Sequence, residues 1–290
     1  YWPPQYVVFD GLTLEPLSVT SVEGNTYDTD EPLDEVRVAS IIASHTDPVW
    51  ILALRESGHV GIVDYSQDGF PMVSRIASER FLHDGGWDHT GRYFMVAANM
   101  RNKMVVIDVQ EQELVSVFET GIRPHPGRGA NWEDPEFGWV NATTHIGQGL
   151  LAVYGADPVN NPEHAWQVVR SIPFEGTGSL FLKTHPNSPW VWFDMALNND
   201  PEGAQQACVY SIADMAQAYA SGEIDRCSGP VGDRGRVVHF EYNRAGTEVW
   251  VSVWDRDGKE SAMVVLDAPD AVEEKRIDAD WMVTPTGKFN

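Results

Sequence analysis

Two histidines lie in segments whose composition could hold a side chain in one direction. His83 falls in the run FLHDGGWD and His125 in the run PHPGRGAN. Glycine allows backbone conformations and close approaches that other residues do not, and proline fixes φ. An imidazole held in such a backbone can exchange protons near neutral pH, because its ordinary pKa is about 6.5. The alternative is that both are turn histidines bonded to the backbone, and the residues alone leave the two interpretations open.

Arg128 follows His125 by three positions and adds a fixed positive charge, which suits a carboxylate or a small anion. The whole chain carries a net charge of −23, so an anionic substrate would need such a local positive site. The same acidity argues against binding of nucleic acid through its phosphates. An acidic surface can also steer a basic protein partner, or it can simply favour solubility or suit a saline habitat.

A repeated sequence pattern predicts the β-strands that must position these side chains. An aromatic strand, a turn and a second strand ending near Asp recur at residues 91–98 with 103–108, 246–254 with 262–267, 50–54 with 59–64, and 190–194 with 207–212. Such repeats predict an all-β fold of β-propeller blades, with a tandem of β-sandwiches as the rival. The only helix predicted is 212–220. In a propeller, His83, His125 and Arg128 are expected on the loops that connect blades.

The two cysteines, Cys208 and Cys227, form no C-x-x-C-H motif, so no c-type haem site is expected within the chain. Whether they pair with each other stays open at this point. No apolar run approaches the ~18 residues of a membrane span. The chain opens on YWPP without a Met or a signal peptide, and we expect it to be a piece of a longer protein.

Several longer segments resemble the haem d1-binding domain of cytochrome cd1 nitrite reductases. They are residues 1–5, 37–39, 81–88, 92–94, 124–131, 178–186, 248–254 and 284–290. The resemblance runs from end to end. It implies an eight-bladed propeller, of which residues 1–290 would supply about five to six blades as one domain, incomplete at both ends. The family's N-terminal cytochrome c domain, with its haem c, would lie outside the chain.

The resemblance also implies an activity, the one-electron reduction of nitrite to nitric oxide in the periplasm. His83 and His125 would be the two histidines that face the haem d1 iron and donate protons, and Arg128 would pair with a haem d1 carboxylate. Further residues would line the haem d1 pocket: Tyr1, Ala39, Phe181, Thr286 and Gly287. A small c-type cytochrome or cupredoxin would deliver electrons, and the full-length protein would be a homodimer. The segment by itself is expected to be inactive.

Two departures from the family keep an alternative open. No candidate for the histidine that ligates the iron is found in the chain. His239 stands where the nitrite reductases carry glutamine facing the cofactor, and it is therefore counted among the cofactor-binding residues. A pocket with this extra imidazole could belong to the related dihydro-haem d1 dehydrogenase, or to a non-catalytic haem d1 carrier. His145 and two other histidines, His164 and His185, are expected to be structural, and no protein-held metal site is predicted.

Overall fold

The computed structural model of the chain is built almost entirely from antiparallel β-sheets. It describes residues 3–217, 226–227, 231, 235–255, 257, 259, 261–268 and 270–284. Contacts divide the chain into two compact units, Tyr1–Arg123 and Pro124–Asn290. Each unit is described by itself below.

The first unit contains three sheets, and in each the strands pair in chain order. A two-stranded sheet joins β1 (Gln5–Phe9) to β2 (Pro16–Ser21). A four-stranded sheet runs through β3 (Val38–Ala43), β4 (Val49–Leu54), β5 (His59–Asp64) and β6 (Met72–Ala77). A second four-stranded sheet runs through β7 (Leu82–Trp87), β8 (Tyr93–Ala98), β9 (Lys103–Asp108) and β10 (Glu113–Glu119).

The second unit also contains three sheets. The first comprises β11 (Pro124–His125), β12 (Asn131–Asp134), β13 (Gly138–His145), β14 (Leu150–Gly155) and β15 (Val168–Pro173), with both β11 and β12 paired to β13. The next comprises β16 (Leu182–Lys183), β17 (Trp190–Asp194), β18 (Ala207–Ser211) and β19 (Arg226–Cys227). The last comprises β20 (Gly235–Tyr242), β21 (Glu248–Asp255), β22 (Ala262–Asp267) and β23 (Glu273–Asp278).

The burial of each strand follows its place in the sheet. The middle strands are apolar on both faces, and all six residues of β14 are buried. The last strands are largely exposed, as in β10 and β23. Buried side chains of neighbouring sheets pack into shared cores, one of which joins β3–β6 to β7–β10 and another β11–β15 to β16–β18. The well-paired middle strands therefore form a rigid support for the first strand of each sheet.

The strands expected from the repeated pattern are confirmed at β4, β5, β8, β9, β17, β18, β21 and β22. The described residues form five sheets of four or five strands and one of two, in agreement with five to six blades. The predicted helix over 212–220 is helical at residues 215–217, while residues 218–220 lie outside the described residues. A short helix not predicted from the sequence, α1 (Pro201–Ala204), is capped by the Asp200 carboxylate.

The expectation that His83 and His125 lie on connecting loops is wrong. His83 is the second residue of β7, and His125 closes β11. The glycines and prolines around them do not break the strands but make them irregular, as described below. Arg128 does lie between strands, after β11 and before β12.

Two further findings concern the whole chain. Cys208 is disulfide-bonded, and its backbone register partner across the β18–β19 pair is Cys227. Among the described residues, no helix has the length and apolar character needed to cross a membrane.

Candidate functional site

The first strand of three sheets is interrupted by a β-bulge, and the bulges coincide with site residues predicted from the sequence. The residues left out of the ladder are Ala39 in β3, His83 and Asp84 in β7, and His239 in β20. A bulge leaves its extra residue unpaired and re-aims its side chain out of the regular alternation. Residues far apart in sequence therefore occupy the equivalent position in their own sheets, a bulge of the first strand.

The other two sheets of four or five strands have a short first strand instead. In the β11–β15 sheet, residues 126–130 leave the ladder between β11 and β12, so that Arg128 projects from a short loop. In the β16–β19 sheet, Phe181 immediately precedes β16, and its carbonyl accepts a hydrogen bond from the Asp194 amide at 3.2 Å. Each of the predicted residues that the structure describes thus lies at or next to such an interruption.

In the first unit, His83 is oriented by its own neighbour. Its Nδ1 lies 3.0 Å from Oδ1 of Asp84, the adjacent bulge residue. The carboxylate accepts the Nδ1 proton, so the neutral ring carries its acceptor at Nε2. The Ser40 hydroxyl donates to the His83 carbonyl at 2.9 Å, which ties β7 to the bulge of β3 beside Ala39. His83 is therefore a directed and still accessible imidazole, with its side chain about 32% exposed.

In the second unit, His125 is buried, and its tautomer is fixed by the backbone. Its Nδ1 lies 2.6 Å from the Leu180 carbonyl oxygen. Because a carbonyl oxygen only accepts, Nδ1 must carry the hydrogen. The other ring nitrogen, Nε2, is then an acceptor in the neutral ring and a donor in the protonated one. This is the arrangement of a histidine that transfers a proton through a single defined atom.

Aromatic rings continue from His125 across the second unit. The Phe181 ring meets His125 edge-on at 5.6 Å between centroids and lies 4.3 Å from the His239 ring. His239 in turn packs edge-on against Trp254 at 5.4 Å. His239 adopts a φ of 60°, in the left-handed region that residues other than glycine seldom occupy. These rings give the unit an aromatic cluster of the type that packs against flat conjugated molecules.

The loop that carries Arg128 depends on two glycines in the left-handed region. Gly127 has a φ of 62°, and a Cβ there would lie 2.5 Å from Cδ1 of Phe181. Gly129 has a φ of 72°, and a Cβ there would lie 2.8 Å from the amide oxygen of Asn141. Only glycine accepts both the backbone conformation and the close approach. The loop is thus held against Phe181 on one side and Asn141 on the other, with Arg128 half-buried between them.

The residue that sequence reasoning missed is Asp194, the last residue of β17. It is fully buried, and its Oδ1 accepts from the amides of Leu180 at 2.7 Å and Phe181 at 3.2 Å. Burial raises the pKa of its carboxyl to about 7, although the hydrogen bonds from backbone amides act in the opposite direction. The only signal in the sequence was a strand that ends in Asp, a feature that β5, β9 and β22 share.

One other buried histidine, His145, behaves as a structural group. His145 is fully buried, and its Nδ1 donates to the Leu150 carbonyl at 2.9 Å. Burial lowers the pKa of His145 to about 4, so the ring is neutral near pH 7. Three predicted pocket residues, Tyr1, Thr286 and Gly287, lie outside the described residues and stay predictions.

Comparisons with known proteins place the chain among haem proteins. Residues 1–290 match the family described as Cytochrome D1 heme domain. A nitrite reductase of Stutzerimonas stutzeri is 41% identical over 297 residues, covering 100% of this chain and 53% of that protein. A dihydro-heme d1 dehydrogenase of Pseudomonas aeruginosa is 27% identical over 255 residues, covering 88% of this chain and 46% of that protein. The chain therefore spans about half the length of these curated relatives.

A solved structure shares the fold. The structure titled "Dihydro-heme d1 dehydrogenase NirN in complex with DHE" superposes with a TM-score of 0.73 at 23% identity, covering 96% of this chain and 53% of that one. At this identity the likeness concerns the fold alone. The all-β propeller class expected from the repeats is confirmed.

Proposed function

The chain belongs to the cytochrome D1 heme domain family, and from this premise we propose that its protein reduces nitrite to nitric oxide with haem d1 as cofactor. The reaction consumes one electron and two protons, NO₂⁻ + e⁻ + 2H⁺ → NO + H₂O. The observation that carries the proposal is the buried His125, whose Nδ1 bonds to the Leu180 carbonyl oxygen, so that proton exchange falls to Nε2. The 41% identity to a nitrite reductase supports the same reaction.

The described residues fit a flat macrocycle that bears carboxylates. Phe181 and Trp254 offer aromatic faces beside His239, and such faces pack against conjugated rings. Arg128 offers a guanidinium that can form paired hydrogen bonds with a carboxylate. We assign these residues, with Ala39, to holding haem d1. The cofactor would supply the iron that binds nitrite and passes the electron.

The protein's own part in the reaction is the delivery of protons. His125 would enter the cycle protonated, with Nδ1 bonded to the Leu180 carbonyl and Nε2 donating to a nitrite oxygen. His83, whose Nδ1 is held by Asp84, would supply the second proton from its own Nε2. Each histidine becomes neutral when it hands over its proton and takes up another from solvent before the next turnover. Departure of one nitrite oxygen as water then leaves nitric oxide.

The test is turnover by the protein expressed from its full gene with the His125→Ala substitution. Loss of a positioned acid–base group typically lowers kcat by about 10²–10⁴-fold, and we expect nitrite turnover to fall at least a hundredfold. The absorption spectrum should show that haem d1 is still bound. His164→Ala is the matched control, because its half-exposed ring packs on Phe137 away from His125. Undiminished turnover in the His125 variant would refute the assigned role.

A second candidate function is oxidation of dihydro-haem d1, and one observation favours it. His239 lies in the aromatic cluster, in a strained conformation and beside Phe181, where an imidazole can act as an acid–base group. The 27% identity to a dihydro-heme d1 dehydrogenase is weaker support than that for the reductase. The His239→Gln variant separates the two: a reductase keeps its nitrite turnover, and a dehydrogenase loses oxidation of dihydro-haem d1. A carrier would show neither activity.

The compartment and the electron donor follow from the same proposal. We place the protein in the periplasm, and the disulfide at Cys208 supports an oxidising compartment. A thiol assay of the denatured, unreduced protein should find no reactive Cys208; a free thiol there would argue for a reducing compartment. The net charge of −23 favours a donor with a basic face, such as a small c-type cytochrome or a cupredoxin.

A further inference from the structure

Asp194 and His125 are joined through a single peptide group. The Leu180 carbonyl accepts from His125 Nδ1 at 2.6 Å. The amide of that same peptide, the N–H of Phe181, donates to Oδ1 of Asp194 at 3.2 Å. The result is a continuous chain from imidazole to carbonyl to amide to carboxylate.

Further contacts of Asp194 hold its carboxylate beside this peptide. The Leu180 amide donates to the same Oδ1 at 2.7 Å, and the Asp194 amide donates to the Phe181 carbonyl at 3.2 Å. The Ser179 hydroxyl lies 3.4 Å from Oδ1 and 2.8 Å from the hydroxyl of Thr144, the residue paired with His125 across β11 and β13. The carboxylate thus accepts hydrogen bonds from the two backbone amides that flank the Leu180 carbonyl, the acceptor of the His125 Nδ1 proton.

We propose that Asp194 is a positioning residue for His125, which fixes its orientation and raises its proton affinity through the Leu180–Phe181 peptide. Hydrogen bonds in a chain polarise one another, and the effect is larger where water is excluded. A negative carboxylate draws the Phe181 amide proton towards itself, which makes the Leu180 carbonyl a stronger acceptor for the imidazolium. The catalytic meaning of this coupling rests on the proposed function, in which His125 donates a proton.

The burial of Asp194 supports the coupling because it places the titration of the carboxyl in the range of a histidine. Its pKa is raised to about 7. Other titratable groups on the packed strands are His145 in β13, Lys183 in β16, and Glu241 and His239 in β20. Of these, His145 stays neutral down to about pH 4, and Lys183 is paired with Glu241 at 3.1 Å.

The test is the pKa of His125 in the Asp194→Asn variant. Asparagine keeps an oxygen acceptor for both amides but cannot become negative. Histidine side chains labelled with ¹⁵N can be followed by NMR in the holoprotein held in its diamagnetic, fully reduced carbon monoxide form, with the His125 signal identified by its loss in His125→Gln. We expect the His125 pKa to fall by up to about one unit, the low end of the effect of a nearby opposite charge, because Asp194 is only partly ionised below pH 7.

Asp157→Asn is the matched control. Asp157 is also buried, but its carboxylate accepts from Asn160 and Asn161 and lies outside the hydrogen-bond chain through the Leu180–Phe181 peptide. This variant should leave the His125 pKa unchanged. An unchanged or raised His125 pKa in Asp194→Asn would overturn the proposal.

A reciprocal measurement keeps the proposal testable if Asp194→Asn does not fold. Coupling between two titrating groups is mutual, so loss of the imidazolium in His125→Gln must raise the Asp194 pKa by the same amount. Carbon-13 labelled aspartate reports that titration, and an unmoved Asp194 pKa refutes the coupling. If instead the coupling is found but His125→Ala retains full turnover, the proposed catalytic role fails while the link between the two side chains stands.

Discussion

Two fully buried groups, Asp194 and His145, should give the stability of the protein opposite dependences on pH. The Asp194 pKa is raised to about 7 from its ordinary 3.8. Its contribution is therefore fully present below pH 3.8 and is lost as the pH rises towards 7. The His145 pKa is lowered to about 4 from 6.5. Its contribution is fully present above pH 6.5 and is lost as the pH falls towards 4.

The two effects have similar size, because one pKa unit corresponds to about 1.36 kcal/mol. Between pH 4 and pH 7, ionisation of Asp194 removes about 3 kcal/mol from the free energy of unfolding as the pH rises. Over the same range, deprotonation of His145 restores about 3 kcal/mol. In the unaltered protein the two contributions largely cancel, and each should become visible when the other group is replaced.

The assay is urea unfolding of the full-length protein at pH 4, 5, 6 and 7, followed by tryptophan fluorescence, to which the 11 tryptophans of residues 1–290 contribute. The free energy of unfolding of Asp194→Asn, relative to the unaltered protein, should increase by about 3 kcal/mol from pH 4 to pH 7. His145→Asn, which keeps a donor for Leu150, should show the opposite trend, and the double variant should show little trend. A flat difference curve for Asp194→Asn would mean that the carboxyl ionises normally, and the reasoning from burial would be wrong.

Two further predictions concern the loop after β11. Gly127→Ala should destabilise the protein by more than the ~1 kcal/mol expected from a left-handed φ alone, since its Cβ would also meet the Phe181 ring. The control is Gly91→Ala, at a φ of 74° where an added Cβ would have nothing within 4 Å. Equal urea midpoints for the two variants would contradict the packing argument. Arg128→Gln should weaken haem d1 binding by about 10-fold or more, through loss of a charge-assisted hydrogen bond, when binding is titrated by absorbance. The control is Arg244→Gln at an exposed position, which should bind haem d1 as the unaltered protein does. If the Arg128 variant also binds haem d1 with unaltered affinity, Arg128 is not part of the site.

Much of the fold could be predicted from the sequence because middle strands leave a strong pattern. Buried runs such as 103–108 and 262–267 are β-branched and apolar, and turn residues bound them. The first strands carry no such signal. β11 and β16 have only two residues each, and the run Asp84-Gly85-Gly86 inside β7 is as typical of a loop as of a strand. The loop assignment for His83 and His125 therefore failed where the hydrogen-bonding ladder itself is incomplete.

Asp194 could not be found from the sequence for a different reason. Its position at the end of a strand matches that of aspartates such as Asp64 and Asp108, which bind neighbouring turn residues or an arginine. What distinguishes Asp194 is that its carboxylate accepts from the Leu180 and Phe181 amides, 14 and 13 residues earlier in the chain. Such a contact depends on the register of β16 against β17, which residue types alone do not specify.

The irregular first strands explain how a sheet can present chemical groups at its edge. In a regular strand, neighbouring side chains point to opposite faces, and each residue is committed to the ladder or to the core. A bulge releases one residue from this alternation at the cost of an unpaired backbone position, and His239 adds the cost of a left-handed φ. The largely buried strands next to it hold the register and so tolerate that cost. Catalytic candidates such as His83 are therefore carried by strands rather than by loops, and their orientation is set by hydrogen bonds to neighbouring residues instead of by free side-chain rotation.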